Sequence, residues 1–399
     1  MPISVKGPTM DFPELKRFDA EIEPWVCTQC GNCRTVCPVF EQIGWESASP
    51  RGKLYYIKQL LRQRSSTHNP IDEEFAKRIF QCSLCVRCEE VCQTRIDMMG
   101  LWQAVRAELG NRGLWPKEVQ AIREATLSQY NLYSLPNSRR TVWAMMIEEQ
   151  VLPKVNRVAE VGYFLGCVAA FTGRIAGIPE STVAILDAAG VDYTTLGPDE
   201  WCCGNPLFFV GAHPAAVELA LHNLEKLREL KVKTLVTSCA GCYRAFHNEY
   251  PRVLGEDIGI EVLHFPQFLS RLIDQGKLRF GRPQEMAITY HDPCEIGRHC
   301  GIYDEPRHVL ASLPGVELIE MPNNRNNSGC CGGGGLLKAT YPDLSLDIAG
   351  SRINQAIHVG ATELVSACVT CRLQMSEAIS TKNLTIGMHD ISEFVAQFL

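Results

Sequence analysis

The residues of this chain that could do chemistry are its nineteen cysteines, and their spacing says more than their number. Cys330 and Cys331 are adjacent, and four glycines follow them directly. Adjacent cysteines cannot easily form a disulfide with each other. Both can ligate one multi-iron cluster if small residues let the backbone wrap around it. This stretch therefore indicates thiolate ligation of a metal cluster.

The C-terminal part of the chain holds two sets of five cysteines, spaced C-x34-CC-x35-C-x-x-C and then C-x35-CC-x36-C-x-x-C. The first pentad consists of Cys167, Cys202, Cys203, Cys239 and Cys242. The second pentad consists of Cys294, Cys330, Cys331, Cys368 and Cys371. Corresponding cysteines lie 127 to 129 residues apart, which predicts an internal duplication. A four-thiolate site needs no fifth cysteine. Each pentad therefore favours a cluster more irregular than a cubane, unless one or two of its members are ordinary buried cysteines.

The remaining regular cysteines form two N-terminal runs of the form C-x2-C-x2-C-x3-C, the pattern of bacterial ferredoxins that bind [4Fe–4S] clusters. In such proteins the fourth cysteine of each run ligates the other cluster. This rule predicts one cluster on Cys27, Cys30, Cys33 and Cys92, and another on Cys82, Cys85, Cys88 and Cys37. The alternative is a pair of zinc sites, but zinc usually takes two spaced pairs of cysteines rather than a triple run.

The elements that must position these cysteines divide the chain into four parts. Apolar residues at helical spacing between and after the two runs predict an α-helical ferredoxin-type domain. From residue 160 onward, short apolar strands alternate with amphipathic helices, which predicts α/β units with mostly parallel sheets. The expected parts are a helical two-cluster domain (1–110), a linker without readable chemistry (111–158), a first α/β domain (159–280) and a second α/β domain (281–399).

Each pentad is expected at one edge of its sheet, because its cysteine groups follow predicted strands and ligands gather at the carboxyl ends of parallel strands. Cys239 and Cys368 each open a predicted helix. There the backbone N–H groups and the positive end of the helix dipole favour a thiolate.

Composition excludes several other classes. The net charge of −6 gives no sign of nucleic-acid binding, and no uncharged run approaches the ~20 residues that span a bilayer. The N-terminus lacks the apolar core of a secretory signal. A disulfide framework is usual in short secreted chains, so a reducing cytoplasm is the expected location, where a partner could hold the chain at the inner face of the membrane.

The segments 290–294 and 297–307, together with the paired pentads, resemble the CCG-domain proteins of the heterodisulfide reductase family. The ferredoxin-type domain in front makes the chain most similar to the D-subunit branch of that family. Segments 50–53 and 57–59 also resemble the iron–sulfur subunit of glycolate oxidase. Subunits of that second kind often lack part of the pentads, so ten intact cysteines favour the heterodisulfide reductase branch.

The resemblance implies that each pentad binds a noncubane [4Fe–4S] cluster, in addition to two cubane clusters in the N-terminal domain. The sum is roughly sixteen irons per chain. In the heterodisulfide reductases a substrate disulfide is split between two such clusters, so the resemblance also implies thiol–disulfide chemistry.

Three residues are candidates for proton transfer. Many relatives have histidine directly after the first cysteine of the second motif, but this chain has Glu295. Glu295 could donate a proton only with a raised pKa. His291 and His299 are nearby substitutes, although a lone histidine is more often structural. Cys300 belongs to neither pentad and reads as a small buried hydrophobe.

Three functions follow from these observations. The leading one is the iron–sulfur subunit of an anaerobic oxidoreductase complex with thiol–disulfide chemistry. The second is a pure electron relay for a flavin dehydrogenase or a benzoyl-CoA-reductase-type complex, and the third is a zinc protein with a structural or redox-sensing role. No flavin or nicotinamide fingerprint is evident, so a flavoprotein, ferredoxin-like protein or membrane cytochrome is expected as partner.

Overall fold

A computed structural model describes residues 13–17, 20–62, 71–281 and 283–399. Its N-terminal domain is helical, as the sequence predicts. Its helices are α1 (Pro13–Arg17), α2 (Glu23–Val26), α3 (Asn32–Thr35), α4 (Pro38–Ile43), α5 (Pro50–Arg62), α6 (Glu73–Phe80), α7 (Arg87–Glu90) and α8 (Met98–Asn111). The apolar faces of α5, α6 and α8 meet in one core, which contains Leu54, Phe75 and Trp102.

The segment that follows carries two helices, α9 (Lys117–Ser128) and α10 (Glu148–Val151), separated by short 3-10 turns. Several of its apolar side chains are exposed, among them Met145 and Met146. Others, including Trp143 and Val151, pack into the core of the first α/β unit. The linker is therefore an ordered part of that unit's surface.

The first α/β unit contains four strands, and each is followed by at least one helix. Its elements are β1 (Val161–Phe164), α11 (Cys167–Phe171), α12 (Gly177–Ala188), β2 (Tyr193–Thr195), α13 (Asn205–Phe208), α14 (His213–Glu229), β3 (Thr234–Thr237), α15 (Ala240–Arg244), α16 (Tyr250–Leu254), β4 (Glu261–His264) and α17 (Phe265–Asp274). A π-helical turn at Ala245–Glu249 joins α15 to α16.

The second unit repeats this order, which confirms the predicted duplication. Its elements are β5 (Met286–His291), α18 (Asp304–Ala311), β6 (Val316–Leu318), α19 (Leu337–Thr340), α20 (Pro342–His358), β7 (Glu363–Ser366), α21 (Val369–Lys382), β8 (Gly387–Asp390) and α22 (Ile391–Ala396). The sheets are parallel throughout, in the orders β2-β1-β3-β4 and β6-β5-β7-β8. The last strand begins at Gly387 and ends at Asp390.

The two units pack against each other with approximate two-fold symmetry, because α12 lies on α22 and α17 lies on α18. In each unit the two central strands deliver cysteines to the same edge. Phe164 at the end of β1 pairs with Thr237 of β3, and Cys167 and Cys239 follow these strands. His291 at the end of β5 pairs with Ser366 of β7, and Cys294 and Cys368 follow in the same way. Parallel pairing thus brings distant cysteines together.

Within the described ranges, none of the helices has the length and apolar character needed to cross a lipid bilayer.

Candidate metal centres

The first N-terminal site is a cavity at the domain surface. Its lining includes Cys27, Cys30, Cys33 and Cys92. Cys30 is exposed, whereas Cys33 is buried. These four thiols are the set that the crossed ferredoxin pattern predicts for one cluster. Because Cys30 is exposed and Cys27 and Cys92 are half-buried, this is the most solvent-accessible cysteine group in the described part of the chain.

The second N-terminal site lies deeper. Its cavity is lined by Cys37, Cys82, Cys85 and Cys88 together with Lys53 and Trp102. The Lys53 ammonium is buried, and it donates a hydrogen bond of 2.7 Å to the carbonyl of Gln81. Burial lowers the pKa of Lys53, and the nearby thiols oppose that change. A positive charge beside four thiols would favour their anionic, metal-binding form.

The first pentad forms a continuous group of buried thiols. The Cys202 thiol contacts those of Cys167 and Cys203, and the Cys242 thiol contacts those of Cys203 and Cys239. A side chain at Gly166 would lie 2.7 Å from the Cys242 sulfur, so the glycine leaves room for the group. All five sulfurs are therefore available to one site.

The second pentad is arranged similarly. The sulfurs of Cys331 and Cys371 are 3.3 Å apart, and hydrogen bonds from the Cys330 and Cys371 thiols lower the pKa of Cys331. The Cys371 thiol also contacts Cys368. Burial raises the pKa of Cys294, and Cys330 is among the charges that add to the rise.

The two pentads face each other across the approximate two-fold axis. Cys239 and Cys368 are the N-cap residues of α15 and α21, which confirms the predicted helix starts. Hydrogen bonds from the Cys371 thiol and from backbone N–H groups, including that of Ala240, lower the pKa of Cys368. Because Ala240 directly follows Cys239, the two C-x-x-C motifs are neighbours.

The donor sets fit sulfur-ligated iron clusters. All nineteen cysteines lie in the described residues, and none of them forms a disulfide there. Eighteen of the nineteen fall into the four groups. Buried thiolates that lie side by side would be costly without a bound metal to neutralise their charge. We therefore treat the four groups as candidate metal centres.

The second N-terminal site and the second pentad are in direct contact. The thiols of Cys85 and Cys330 are hydrogen-bonded, and the Cys330 sulfur lies 3.2 Å from the Ser83 hydroxyl oxygen. Gly335 has a φ of +60°, and a side chain there would lie 2.6 Å from the Ser83 backbone. The last two glycines of the glycine-rich stretch thus allow the backbone of one domain to lie on the other.

Two arginines hold this junction together, of which Arg106 is fully buried and Arg298 is partly exposed. Arg106 donates hydrogen bonds to the carbonyls of Cys82 (2.9 Å), Gly335 (2.8 Å) and Phe209 (3.4 Å). Arg298 donates to the carbonyl of Cys85 at 2.6 Å. These bonds connect the helical domain to both α/β units.

The proton-transfer candidates fall into two groups. Glu295 and His299 lie together, with 3.7 Å between a carboxylate oxygen and Nε2. Glu295 forms a buried ion pair of 2.8 Å with Arg244 of the first unit. Burial raises the pKa of Glu295, and Arg244 opposes the rise. Burial and Arg244 lower the pKa of His299 to about 3, so His299 is neutral, and its Nε2 lies 3.1 Å from the Leu84 carbonyl.

His291 stands apart from that pair. One of its ring nitrogens and the sulfurs of Cys331 and Cys371 lie within 4.8 Å of one another. Its Nδ1 accepts a hydrogen bond from Arg352 at 3.1 Å, which places the proton of the neutral ring on Nε2. This Nε2 is buried and has no hydrogen-bond partner. His291 is therefore the candidate whose ring lies beside Cys331 and Cys371.

Sequence reasoning missed Arg140, because it lies in the linker that was expected to carry no chemistry. The Arg140 guanidinium donates hydrogen bonds to the Cys167 sulfur (3.2 Å) and to Glu200 (2.6 Å). Both side chains are almost fully buried. Arg140 stands next to Arg139 in the sequence, and no local pattern distinguishes the buried residue from its exposed neighbour.

Comparison with known proteins gives consistent results. The cysteine-rich CCG domain matches residues 161–247 and 288–376, and a 4Fe-4S dicluster domain matches residues 25–96. The D subunit of the dihydromethanophenazine:CoB–CoM heterodisulfide reductase of Methanosarcina acetivorans is 34% identical over 409 aligned positions. The alignment covers 99% of this chain and 98% of the relative.

More distant similarities agree. The EtfAB:quinone oxidoreductase of Syntrophomonas wolfei is 28% identical over an alignment that covers 77% of this chain and 48% of that protein. A Helicobacter pylori protein of solved structure superposes with a TM-score of 0.57 at 10% identity. The superposition covers 98% of this chain and 73% of the Helicobacter pylori chain. That likeness concerns the fold alone.

Proposed function

The chain belongs to the family of the heterodisulfide reductase D subunits and related CCG-domain iron–sulfur proteins, and on that basis we propose that it is the iron–sulfur, electron-transferring subunit of a larger oxidoreductase complex. The contact of Cys85 and Ser83 with Cys330 carries the proposal. It supports close coupling between a ferredoxin-type site and a CCG site.

The proposed ligands are the four cysteine groups described above, with two cubane and two noncubane [4Fe–4S] clusters. When bound, such clusters accept and release single electrons at potentials that the surrounding protein sets. The chain supplies the thiolates, buries all five cysteines of the first pentad and four of the five in the second, and holds the second N-terminal site against the second pentad. Because Cys30 is exposed, the electron-exchanging partner is expected to dock at the first N-terminal site.

We further propose a thiol–disulfide reaction at the facing pentads. Cleavage of a disulfide to two thiols consumes two electrons and two protons. His291 could hold one of these protons at Nε2, since this buried atom has no other partner and the ring lies beside Cys331 and Cys371. His299 has no such role, because its Nε2 already lies within hydrogen-bonding distance of the Leu84 carbonyl.

One observation favours the alternative, a relay without its own substrate. Glu295 directly follows Cys294, and its ion pair with Arg244 keeps the carboxylate engaged between the units. A group held in this way is better suited to joining the two units than to donating a proton. The partner would then be a flavoprotein, a ferredoxin-like protein or a membrane cytochrome, working in a reducing compartment.

Iron analysis of the anaerobic protein tests the cluster assignment. We expect roughly sixteen irons per chain for four four-iron clusters. A value near eight would mean that the pentads bind no cluster, and stoichiometric zinc would overturn the iron assignment altogether.

A matched variant separates the reductase from the relay. The first unit has Phe164 where the second has His291, so His291→Phe copies the duplicated position. We expect thiols or disulfides to change the paramagnetic signal of the natural protein, and His291→Phe to weaken that response while keeping its iron. If no thiol or disulfide changes the signal of the natural protein, the relay is correct.

A further inference from the structure

A charged hydrogen bond from the linker reaches a sulfur of the first pentad. Arg140 donates to the Cys167 sulfur at 3.2 Å, and only 2% of the arginine side chain is exposed. An arginine guanidinium stays protonated in proteins, and the Glu200 carboxylate pairs with this one at 2.6 Å. The guanidinium is therefore a permanent positive charge beside this thiol.

The surroundings hold Arg140 in one orientation. Glu200 accepts from Arg140 at 2.6 Å, and its carboxylate also accepts from the backbone N–H groups of Leu165 and Gly166, both at 2.9 Å. These bonds anchor Glu200 to the loop that precedes Cys167. The pair is consequently a fixed dipole whose positive end points at the sulfur.

An aromatic stack fixes the backbone of this part of the linker. Trp201 lies between Tyr130 and His222, with ring centroids 3.6 Å apart on both sides. The Tyr130 carbonyl accepts a hydrogen bond of 2.7 Å from the backbone N–H of Cys202. The linker thus covers the first pentad as a fixed layer.

The second pentad has a different environment. Ser328 stands where the first unit has Glu200, two residues before the paired cysteines. Arg352 donates to the Ser328 hydroxyl (3.1 Å) and to His291. Throughout the described residues, no arginine side chain donates a hydrogen bond to a sulfur of the second pentad.

We propose that Arg140 raises the reduction potential of the first CCG site above that of the second, so that the first site is where electrons collect. The inference rests on the proposed function, since it presumes that both pentads bind clusters. Hydrogen bonds and positive charge at ligand sulfurs stabilise the more negative, reduced state, and buried charges are weakly screened. The step concerned is a one-electron exchange: the first site gains one electron, and a reduced carrier or the second site loses one.

Glu200 makes the proposal sharply testable, because its charge has the opposite sign. Arg140→Gln removes the positive charge and should lower the potential of the first site. Glu200→Gln leaves the arginine uncompensated and should raise it. If both substitutions only loosened the structure around the first site, they would not shift its reduction potential in opposite directions.

The experiment is an anaerobic dithionite titration followed by electron paramagnetic resonance, on full-length protein. The first-site signal is the one that Cys242→Ser abolishes. We expect Arg140→Gln to shift the one-electron equilibrium at least tenfold toward the oxidised form, about 59 mV, and Glu200→Gln to shift it the other way. Arg140→Lys should fall between the natural protein and Arg140→Gln. Arg139→Gln, which changes the exposed neighbouring arginine, should have no effect.

Each outcome decides the question. Unchanged potentials, or shifts of the same sign in Arg140→Gln and Glu200→Gln at normal iron content, would overturn the inference and leave the cluster assignment intact. If Arg140→Gln, Arg140→Lys and Glu200→Gln all lose the iron of the first site, Arg140 has a structural role only, and the proposed effect on the reduction potential is rejected. If the natural protein lacks a first-site signal and holds about eight irons, the proposed function itself fails.

Discussion

The two CCG sites use five cysteines at equivalent places in duplicated units, but different neighbours complete them. The linker covers the first site and contributes Arg140, with Glu200 behind it. The helical domain lies against the second site and brings Ser83 and Cys85 to Cys330. The duplication accounts for the two similar ligand sets, and the flanking segments give the two sets different surroundings.

The difference assigns separate positions to the two sites in the proposed electron path. The second site touches a ferredoxin-type cysteine, whereas the first meets the second through the adjoining C-x-x-C motifs. We therefore expect the second site to exchange electrons with the helical domain, and the first to be reached through the second.

The largest expected effect comes from removing matched ligands, Cys202→Ser and Cys330→Ser. Each variant should lose about four of roughly sixteen irons, measured by iron and sulfide analysis. Only Cys330→Ser should also slow reduction of the remaining CCG site, followed by stopped-flow absorbance. Equal rates in the two variants would show that the helical domain reaches both sites independently.

The junction at the second site should depend strongly on Arg106. Arg106→Met removes hydrogen bonds to three carbonyls, those of Cys82, Gly335 and Phe209. Buried carbonyls without partners cost about 1–3 kcal/mol each, so we expect the free energy of unfolding to fall by about 3–5 kcal/mol. Denaturant titration measures this change. Lys117→Met, at an exposed lysine, is the control, and its effect should stay within about 0.5 kcal/mol.

The last helices of the two units begin with different N-cap residues, Asp390 before α22 and His264 before α17. Burial raises the pKa of Asp390 to about 7, above its unfolded value of about 3.9. The stability that this implies is present at low pH and is lost as pH rises through 7. From pH 5 to 7 we expect the wild type to lose about 2–3 kcal/mol relative to Asp390→Asn in denaturant titrations.

His264 should show the opposite sign. Burial lowers its pKa to about 3, so its contribution is present above the unfolded value of about 6.5 and is lost as pH falls. His264→Gln should therefore gain relative to wild type on acidification. Parallel pH slopes for Asp390→Asn and His264→Gln, each measured relative to wild type, would contradict at least one of the two assignments.

The smallest effect concerns the glycine contact. Gly335→Ala places a methyl group 2.6 Å from the Ser83 backbone, whereas Gly276→Ala adds one in open space at a similar φ of +66°. Both substitutions carry the strain of positive φ, about 1 kcal/mol. Gly335→Ala should cost about 1–3 kcal/mol more by thermal or chemical unfolding. Equal costs would mean that the two domains are not in contact there.

Much of this arrangement could be predicted from the sequence, because parallel strands deliver the residues that follow them to a common edge. Cys167 and Cys239 are 72 residues apart, yet each follows a central strand of one sheet. The duplication then predicted the placement of Cys294 and Cys368. The spacing of the cysteines along the sequence was sufficient to predict these positions, because both units repeat the same order of strands and cysteines.

The contacts that distinguish the two sites could not be predicted in this way. Arg140 of the linker reaches Cys167 of the first unit, and Arg244 of the first unit reaches Glu295 of the second. Such contacts depend on how separate segments of the chain pack, and they leave no periodic signal in the sequence. The glycines after Cys331 were expected to wrap around a cluster. In the structure the last two of them also meet Ser83.

At Gly334 and Gly335 there are no side chains to yield, so the two main chains rest on each other without a deformable layer between them. An interface formed by backbone atoms alone cannot adjust to a change in the spacing of the two domains by moving side chains. The distance between the ferredoxin-type and CCG ligands is consequently set by the peptide backbone itself, and substitutions elsewhere would have difficulty retuning it.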